Sequence, residues 1–359
     1  MQRWGRIRIE TLMSRRNAEM SQFHKDNHYV PQLYLKRWSK DGNIFTYRLL
    51  VPHENVPLWK EHSLRGIAFH QHLYTYLVGR EETDEFERWL GQEFETPAEE
   101  AIRLAVNDER MSTEHWRALI RFVVAQDVRT PANLKAFLTR QRESLQALMS
   151  ETLEDSVKRL EEIAKTGTGL PRQEAGSSNS FPLCVSITKG PDGKGSIETR
   201  TVVGRKLWLW SVRHLLTNTI EKITHSRWTI VRAPKGVSWP TTDNPVIKLN
   251  FQSAEKYDFG GGWGRTKCDI FFPLSPKHLL HNSIGQGSWP RGTVLEKPLA
   301  TFIRKIIIEH ADRYVFDEER SDVHLVRPRV VSVEEYKREQ DAWSNWHREQ
   351  SDAESSLSQ

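Results

Sequence analysis

The spacing of apolar positions changes several times along the chain, and each change marks an element. Pro31 suits the first turn of a helix, where its missing N–H costs nothing, and the helix it opens is short, closed by the polar turn Asp41-Gly42. Residues 44–49 then read as a strand, and residues 72–78, rich in Tyr and Leu, as its partner. From 83 to about 106 the spacing of Phe86, Trp89, Leu90, Phe94 and Ile102 is helical. Ser112 or Thr113 caps the next helix, Glu114 adds negative charge to its first turn, and Trp116, Leu119, Ile120, Val123 and Val124 recur along it. Thr130-Pro131 ends it, because the residue before a proline disfavours the helical region. A second long helix is predicted from 131 to about 164, stopping before Gly167 and Gly169.

Residues 166–200 are the loosest stretch, with Ala175-Gly176-Ser177-Ser178 and the later Gly190, Gly193 and Gly195, and read as a surface insertion holding one short strand at 181–187. Residues 201–225 are helical again, and residues 228–232, 246–249, 269–272 and 279–283 are strands between Pro and Gly turns. A helix at 299–310 and a strand at 313–316 follow. Beyond 331 the chain is polar, with a peripheral helix at 334–348 and a tail expected to be partly disordered. This order predicts a single α+β domain over 23–330. Its mixed or antiparallel sheet would be built from N- and C-terminal strands and packed against a central helical block at 83–165.

Composition narrows the class. Hydrophobic residues at 37% and charged residues at 28% fit a soluble globular protein, and most of the 13 Trp are expected in its core. No stretch reaches the roughly 18 apolar residues of a membrane span. Cys184 and Cys268 are the only cysteines, with no CxxC, which points to a reducing, cytoplasmic setting and excludes a thiolate zinc site built from one chain. Residues 1–22 carry Arg3, Arg6, Arg8, Arg15 and Arg16 and read as a flexible basic arm, or as residues upstream of a start at Met20. The net charge of +5 is mixed along the chain, which describes a solvated surface and does not by itself argue for nucleic acid.

Three polar groups could carry chemistry. His28 can serve as general base, general acid or metal ligand, or can lock the start of the Pro31 helix through its ring nitrogens. Gln126 and Arg129 project from one helix face, with Arg121 extending the strip, and form a fork suited to carboxylate or phosphate. The competing reading of Arg129 is a buried pair with Glu93 or Glu95. Thr242-Asp243-Asn244-Pro245 is either a plain turn or a site, with Asp243 as base or metal ligand and Asn244 as an orienting amide. A single carboxylate is too little to indicate a metal site, so a divalent ion is compatible with the sequence but not called for by it. Arg65-x4-His70 has the spacing of the HEPN ribonuclease motif, but its segment is not read as helical. Gly260-Gly261-Gly262-Trp263-Gly264 lacks the Lys-Ser/Thr of a phosphate loop, and reads as a mobile hairpin tip. No GxSxG, HExxH or GxGxxG occurs.

The run His28-Tyr29-Val30-Pro31-Gln32-Leu33-Tyr34-Leu35, followed by Lys36-Arg37-Trp38 and Asp41-Gly42-Asn43, resembles the opening signature of the domain of unknown function 4238 family. The resemblance continues in Ala125-Gln126-Asp127-Val128-Arg129-Thr130-Pro131, Thr242-Asp243-Asn244-Pro245-Val246, Phe272-Pro273-Leu274-Ser275-Pro276 and Ala311-Asp312-Arg313-Tyr314-Val315-Phe316. It implies a special role for His28 but no established reaction.

The expectation drawn from these groups is a hydrolase-like protein acting on a phosphate-bearing substrate, nucleic acid or nucleotide. His28, Asp243 and Asn244 would be catalytic, and Gln126, Arg129 and Arg121 would bind substrate. The rival is a non-catalytic binding module for protein or nucleic acid, in which the same motifs lock the fold. A toxin or phage-defence role is compatible with either.

Overall fold

The computed structural model describes residues 23–166, 181–189, 195–224 and 227–356. The basic arm and the Ala175-Gly176-Ser177-Ser178 stretch lie outside these residues. Strand β1 (Asp26–His28) leads into the short helix α1 (Gln32–Leu35), which ends in a 3-10 turn at Lys36–Trp38. Strands β2 (Asn43–Arg48), β3 (Leu50–Val51), β4 (Trp59–Ser63) and β5 (Phe69–Gln71) follow, then the hairpin β6 (Tyr76–Val78) and β7 (Glu81–Thr83). The turn before β2 takes positive φ at both Asp41 (51°) and Gly42 (79°), the backbone that favours an Asp-Gly pair.

The helical block contains α2 (Glu85–Leu90), a π-turn at Gly91–Glu95, α3 (Thr96–Val106), α4 (Thr113–Val128) and the 36-residue α5 (Pro131–Thr166). Ser112 caps α4 in a reciprocal box with His115. The hairpin β8 (Cys184–Lys189) and β9 (Gly195–Arg200) precedes α6 (Arg205–His214) and α7 (Ile220–Thr224). The C-terminal strands are β10 (Thr229–Arg232), β11 (Thr241–Thr242), β12 (Ile247–Ser253), β13 (Lys256–Asp258), β14 (Cys268–Pro273) and β15 (His278–Ser283). Helix α8 (Lys297–Glu309), strand β16 (Tyr314–Asp317), α9 (Val323–Val326), β17 (Val330–Val331) and helix α10 (Val333–Ser356) complete the described chain.

Two antiparallel sheets carry the α+β architecture. One has the order β10-β15-β14-β12-β13, and the other, β11-β16-β2-β4, joins strands from both ends of the chain. The expected pairing of 44–49 with 72–78 is not made. β2 pairs with β4 and β16, while β6 closes on β7 across a two-residue turn at Gly79. A tight local turn closes with little loss of chain entropy, so the 76–78 segment folds on its neighbour. The helix expected at 334–348 extends from 333 to 356, through much of the stretch read as tail.

The main core holds Tyr34, Trp38, Phe122, Trp208 and Phe272, with the ring of Tyr34 5.0 Å from Trp38 and 4.9 Å from Phe272. A second cluster packs Ile303 and Ile307 of α8 against Trp239, Leu249 and Leu279, and a third unites Tyr47, Trp59, Ile308 and Val315. Helix α8 therefore buries two faces, one against each sheet, and fixes their relative position.

Candidate functional site

The family-like segments lie far apart in the chain and meet in space through side chains that end on each other's backbone. Gln126 donates to the carbonyl of Tyr29 at 2.8 Å, and Arg129 to that of His28 at 2.7 Å. Tyr34 donates to Pro273 O at 2.8 Å and lies 2.6 Å from the Thr241 hydroxyl, while the Trp38 indole N–H reaches Trp239 O at 2.8 Å. Asp243 accepts the backbone N–H groups of Asp312 (2.8 Å) and Arg313 (2.7 Å). Buried backbone groups need partners, and these long-range bonds supply them where regular ladders stop.

The residues singled out from sequence do not share one open cleft. His28 lies at the end of β1, its Nε2 3.3 Å from Gln32 Nε2 and its ring 5.6 Å from Phe69. Burial lowers its pKa, opposed by a hydrogen bond to the backbone of Arg65. Arg129 is enclosed, with Glu95 at 2.5 Å and the Tyr74 hydroxyl at 3.3 Å in addition to His28 O. Arg121 instead lies over the Phe94 ring, 3.7 Å from Glu221 and 4.0 Å from Glu93. Asn244 faces His310, whose Nδ1 is 2.9 Å from the Asn244 carbonyl. Trp263 of the glycine-rich run is pinned, donating to Asp127 at 2.8 Å, and Asp127 also holds Lys248 at 2.6 Å. Gly261 permits this course, since a Cβ there would come within 2.6 Å of Lys248 O.

Asp243 leads to the cluster with the strongest chemical character. Burial, reinforced by the charge of Asp312, pushes its carboxyl up to about 7. Asp312 holds Lys135 of α5 at 2.6 Å, and these two side chains are 22% and 42% exposed, so the pair reaches solvent. Arg313 bonds Glu339 of α10 at 2.5 Å. Behind them His70 stacks on Trp343 (3.7 Å between ring centroids) and on Tyr29 (5.3 Å). Burial, with help from the Lys135 charge, lowers His70 to about 4, so it is neutral at pH 7. A cleft of about 320 Å³ opens here, lined by Lys135, Leu138, Arg313, Arg338, Trp343 and Trp346.

Other arrangements are less suited to chemistry. Ser275, His278 and Asp108 form a row, with Ser275 Oγ 2.9 Å from His278 Nδ1 and His278 Nε2 3.6 Å from Asp108. Ser275 Oγ already accepts the N–H groups of Lys277 and His278, so it caps a turn rather than presenting a nucleophile. His72, Glu82 and His347 are close enough to be weighed as metal ligands. Their rings, however, stack 3.8 Å apart and only 13° from parallel, which sends the two in-plane lone pairs side by side instead of to one point. Arg205, 3.1 Å from His347 Nδ1, can only donate, so the proton sits on Nε2, which bonds Glu82 at 2.9 Å. As arranged, the trio is a hydrogen-bonded stack. A larger cavity of about 720 Å³ between α5 and the β8–β9 hairpin has no ionisable group in its lining.

Sequence reasoning missed Lys135, His70, Asp312 and Glu339 as site residues. Asp312 and Arg313 stood in a family-like segment that was noted without a role, and Lys135 lies four residues past the helix-opening Pro131. His70 ends the Arg65-x4-His70 spacing, whose segment is not read as helical, and Glu339 carries no local signal.

No helix among the described residues is long and apolar enough to cross a membrane. No curated protein and no solved structure matches the chain. A family model described as protein of unknown function (DUF4238) matches residues 26–321, a span that holds every motif meeting around Asp243 but ends before helix α10. The chain belongs to the DUF4238 family.

Proposed function

We propose that this protein is an intracellular hydrolase for a phosphate-bearing substrate, nucleotide or nucleic acid, with its chemistry at Asp312 and Lys135. The observation that carries the reading is the carboxylate pair Asp243–Asp312, Asp243 held at about 7, with Lys135 on its solvent side and Arg313 adjoining. Lys135 and Arg313 neutralise phosphate oxygens. Asp312 takes a proton from the attacking water as its oxygen bonds to phosphorus, and the leaving oxygen departs and gains a proton from solvent. Asp243 positions the Asp312-Arg313 backbone, and Arg129 and Gln126 hold the β1 segment behind it. Cys184 and Cys268 are free thiols, in keeping with a reducing compartment.

Turnover of phosphomonoesters, nucleotides and oligonucleotides by the full chain tests this. Asp312→Asn should lower kcat roughly 100-fold or more while leaving the melting temperature within a few degrees of wild type. A non-catalytic binding module is the second reading. It is favoured by one observation, that Gln126, Arg129 and Asp243 all end on backbone atoms of other motifs. Salt-sensitive binding of a phosphate-bearing ligand with no turnover of any of these substrates would establish it in place of the hydrolase.

A further inference from the structure

Helix α10 docks on the body through an unusual ladder. Over its 24 residues Glu354 is the single buried side chain, and the helix is held by Tyr336 at Arg48, Glu339 at Arg313, Trp343 on His70 and Gln350 at the Arg205 N–H. The buried Glu354–Arg205 pair at 2.9 Å anchors the end of the helix, so the rung open to exchange is the partly exposed Glu339–Arg313 bond. The ladder crosses the 320 Å³ cleft at Glu339 and Trp343.

The two walls of that cleft differ in kind. Leu50 and Leu138, with Trp343 and Trp346, whose rings meet at 60°, offer an apolar surface. Lys135, Arg313 and Arg338 offer positive charge beside the carboxylates of Glu335 and Glu339, and Arg338 is exposed with no hydrogen bond or ion pair among the described residues. Arg313 is occupied by the chain's own carboxylate, Glu339, at 2.5 Å. The cavity's size is at the lower end of those that take small ligands.

We propose that this cleft binds an anion carried on a flat apolar body, a nucleoside monophosphate or a compound like it, and that the ligand's anion replaces the Glu339 carboxylate on Arg313. This rests on the phosphate-bearing substrate class proposed above and adds where the ring lies and what the ligand displaces. Phosphate supplies acceptors to Arg338 and, once Glu339 is displaced, to Arg313, and the ring covers the tryptophan wall. Glu339 sets the affinity, since every ligand must compete with it.

The experiment is calorimetric titration of the full chain with AMP, ribose 5-phosphate and inorganic phosphate. AMP should bind tighter than both ring-less probes. Glu339→Gln, which removes the competing charge but keeps a polar side chain, should tighten AMP about three- to tenfold. Arg338→Ala, at a side chain with no hydrogen bond or ion pair among the described residues, should weaken AMP and inorganic phosphate alike by about twofold or more. Equal binding of AMP and inorganic phosphate, or AMP affinity indifferent to both substitutions, overturns the proposal. The two readings fail separately. AMP binding that responds to Glu339→Gln, with no substrate turned over, sinks the hydrolase and keeps the cleft. Turnover whose KM ignores both substitutions sinks the cleft and keeps the hydrolase.

Discussion

Arg129 donates to the carbonyl oxygen of His28 at 2.7 Å, joining the end of the fourth helix to a strand 101 residues earlier. The same guanidinium bonds Glu95 in the π-turn and the Tyr74 hydroxyl, while Tyr74 donates back to the Arg129 carbonyl at 2.7 Å. One fixed fork of donors thus ties the N-terminal strand, the β6 region and the first helical segment together. Lysine, a point charge on a flexible stem, cannot reproduce three such directions.

Arg129→Lys is therefore expected to destabilise the fold by about 2–4 kcal/mol, because half-buried Glu95 and the His28 carbonyl lose directed partners. Urea unfolding gives the value directly. A loss under about 1 kcal/mol would mean the enclosed fork contributes little beyond its charge.

Asp243→Asn leaves one amide oxygen for two N–H groups and turns an NH₂ toward the other, at a cost of about 1–3 kcal/mol. The penalty has a pH signature. The carboxyl rises from 3.8 unfolded to about 7 folded, so between these values the native state binds more protons. Its contribution is complete below 3.8 and is lost as pH rises through 7. The gap between wild type and variant should narrow from pH 4.5 to pH 7.5, and a gap constant across that window would refute the raised pKa.

His70 works in the opposite sense. Its pKa falls from 6.5 unfolded to about 4 folded, so its contribution is present above 6.5 and is lost as pH drops toward 4. His70→Phe keeps a ring against Trp343 and removes the titration. Wild type should lose about 1–3 kcal/mol relative to this variant between pH 7.5 and pH 4.5. Parallel stability profiles of the two proteins would show that the stack tolerates a charged ring.

Trp38→Phe removes the indole N–H from the Trp239 carbonyl and leaves space in the main core. A loss of about 1–3 kcal/mol is expected, measured by the shift in urea midpoint at unchanged slope. No shift would mean that water reaches the orphaned carbonyl.

Much of the fold was legible where the signal is local. Asp41-Gly42 gave a tight turn, Ser112 a helix cap, and Thr130-Pro131 the break between α4 and α5, each because backbone sterics act over a few residues. The pairing of 44–49 was misread because strand partners are chosen by tertiary contacts, and the two strands flanking β2 lie at 59–63 and 314–317. The site was legible only in part. Asp243 was marked by its turn, but its partners Asp312 and Lys135 come from other elements, and Glu339 from a helix that polarity alone made look peripheral.

By itself the sequence determined the α+β class, the helical block and the segments that carry the DUF4238 resemblance, since periodicity, caps and breakers are properties of neighbouring residues. Only the tertiary structure decided that Arg129 and Gln126 face inward onto the backbone of His28 and Tyr29, and that Lys135 of the long helix meets Asp312. The reason is that a side chain's partner is set by which distant segments pack against it, and that choice is made by the whole core at once.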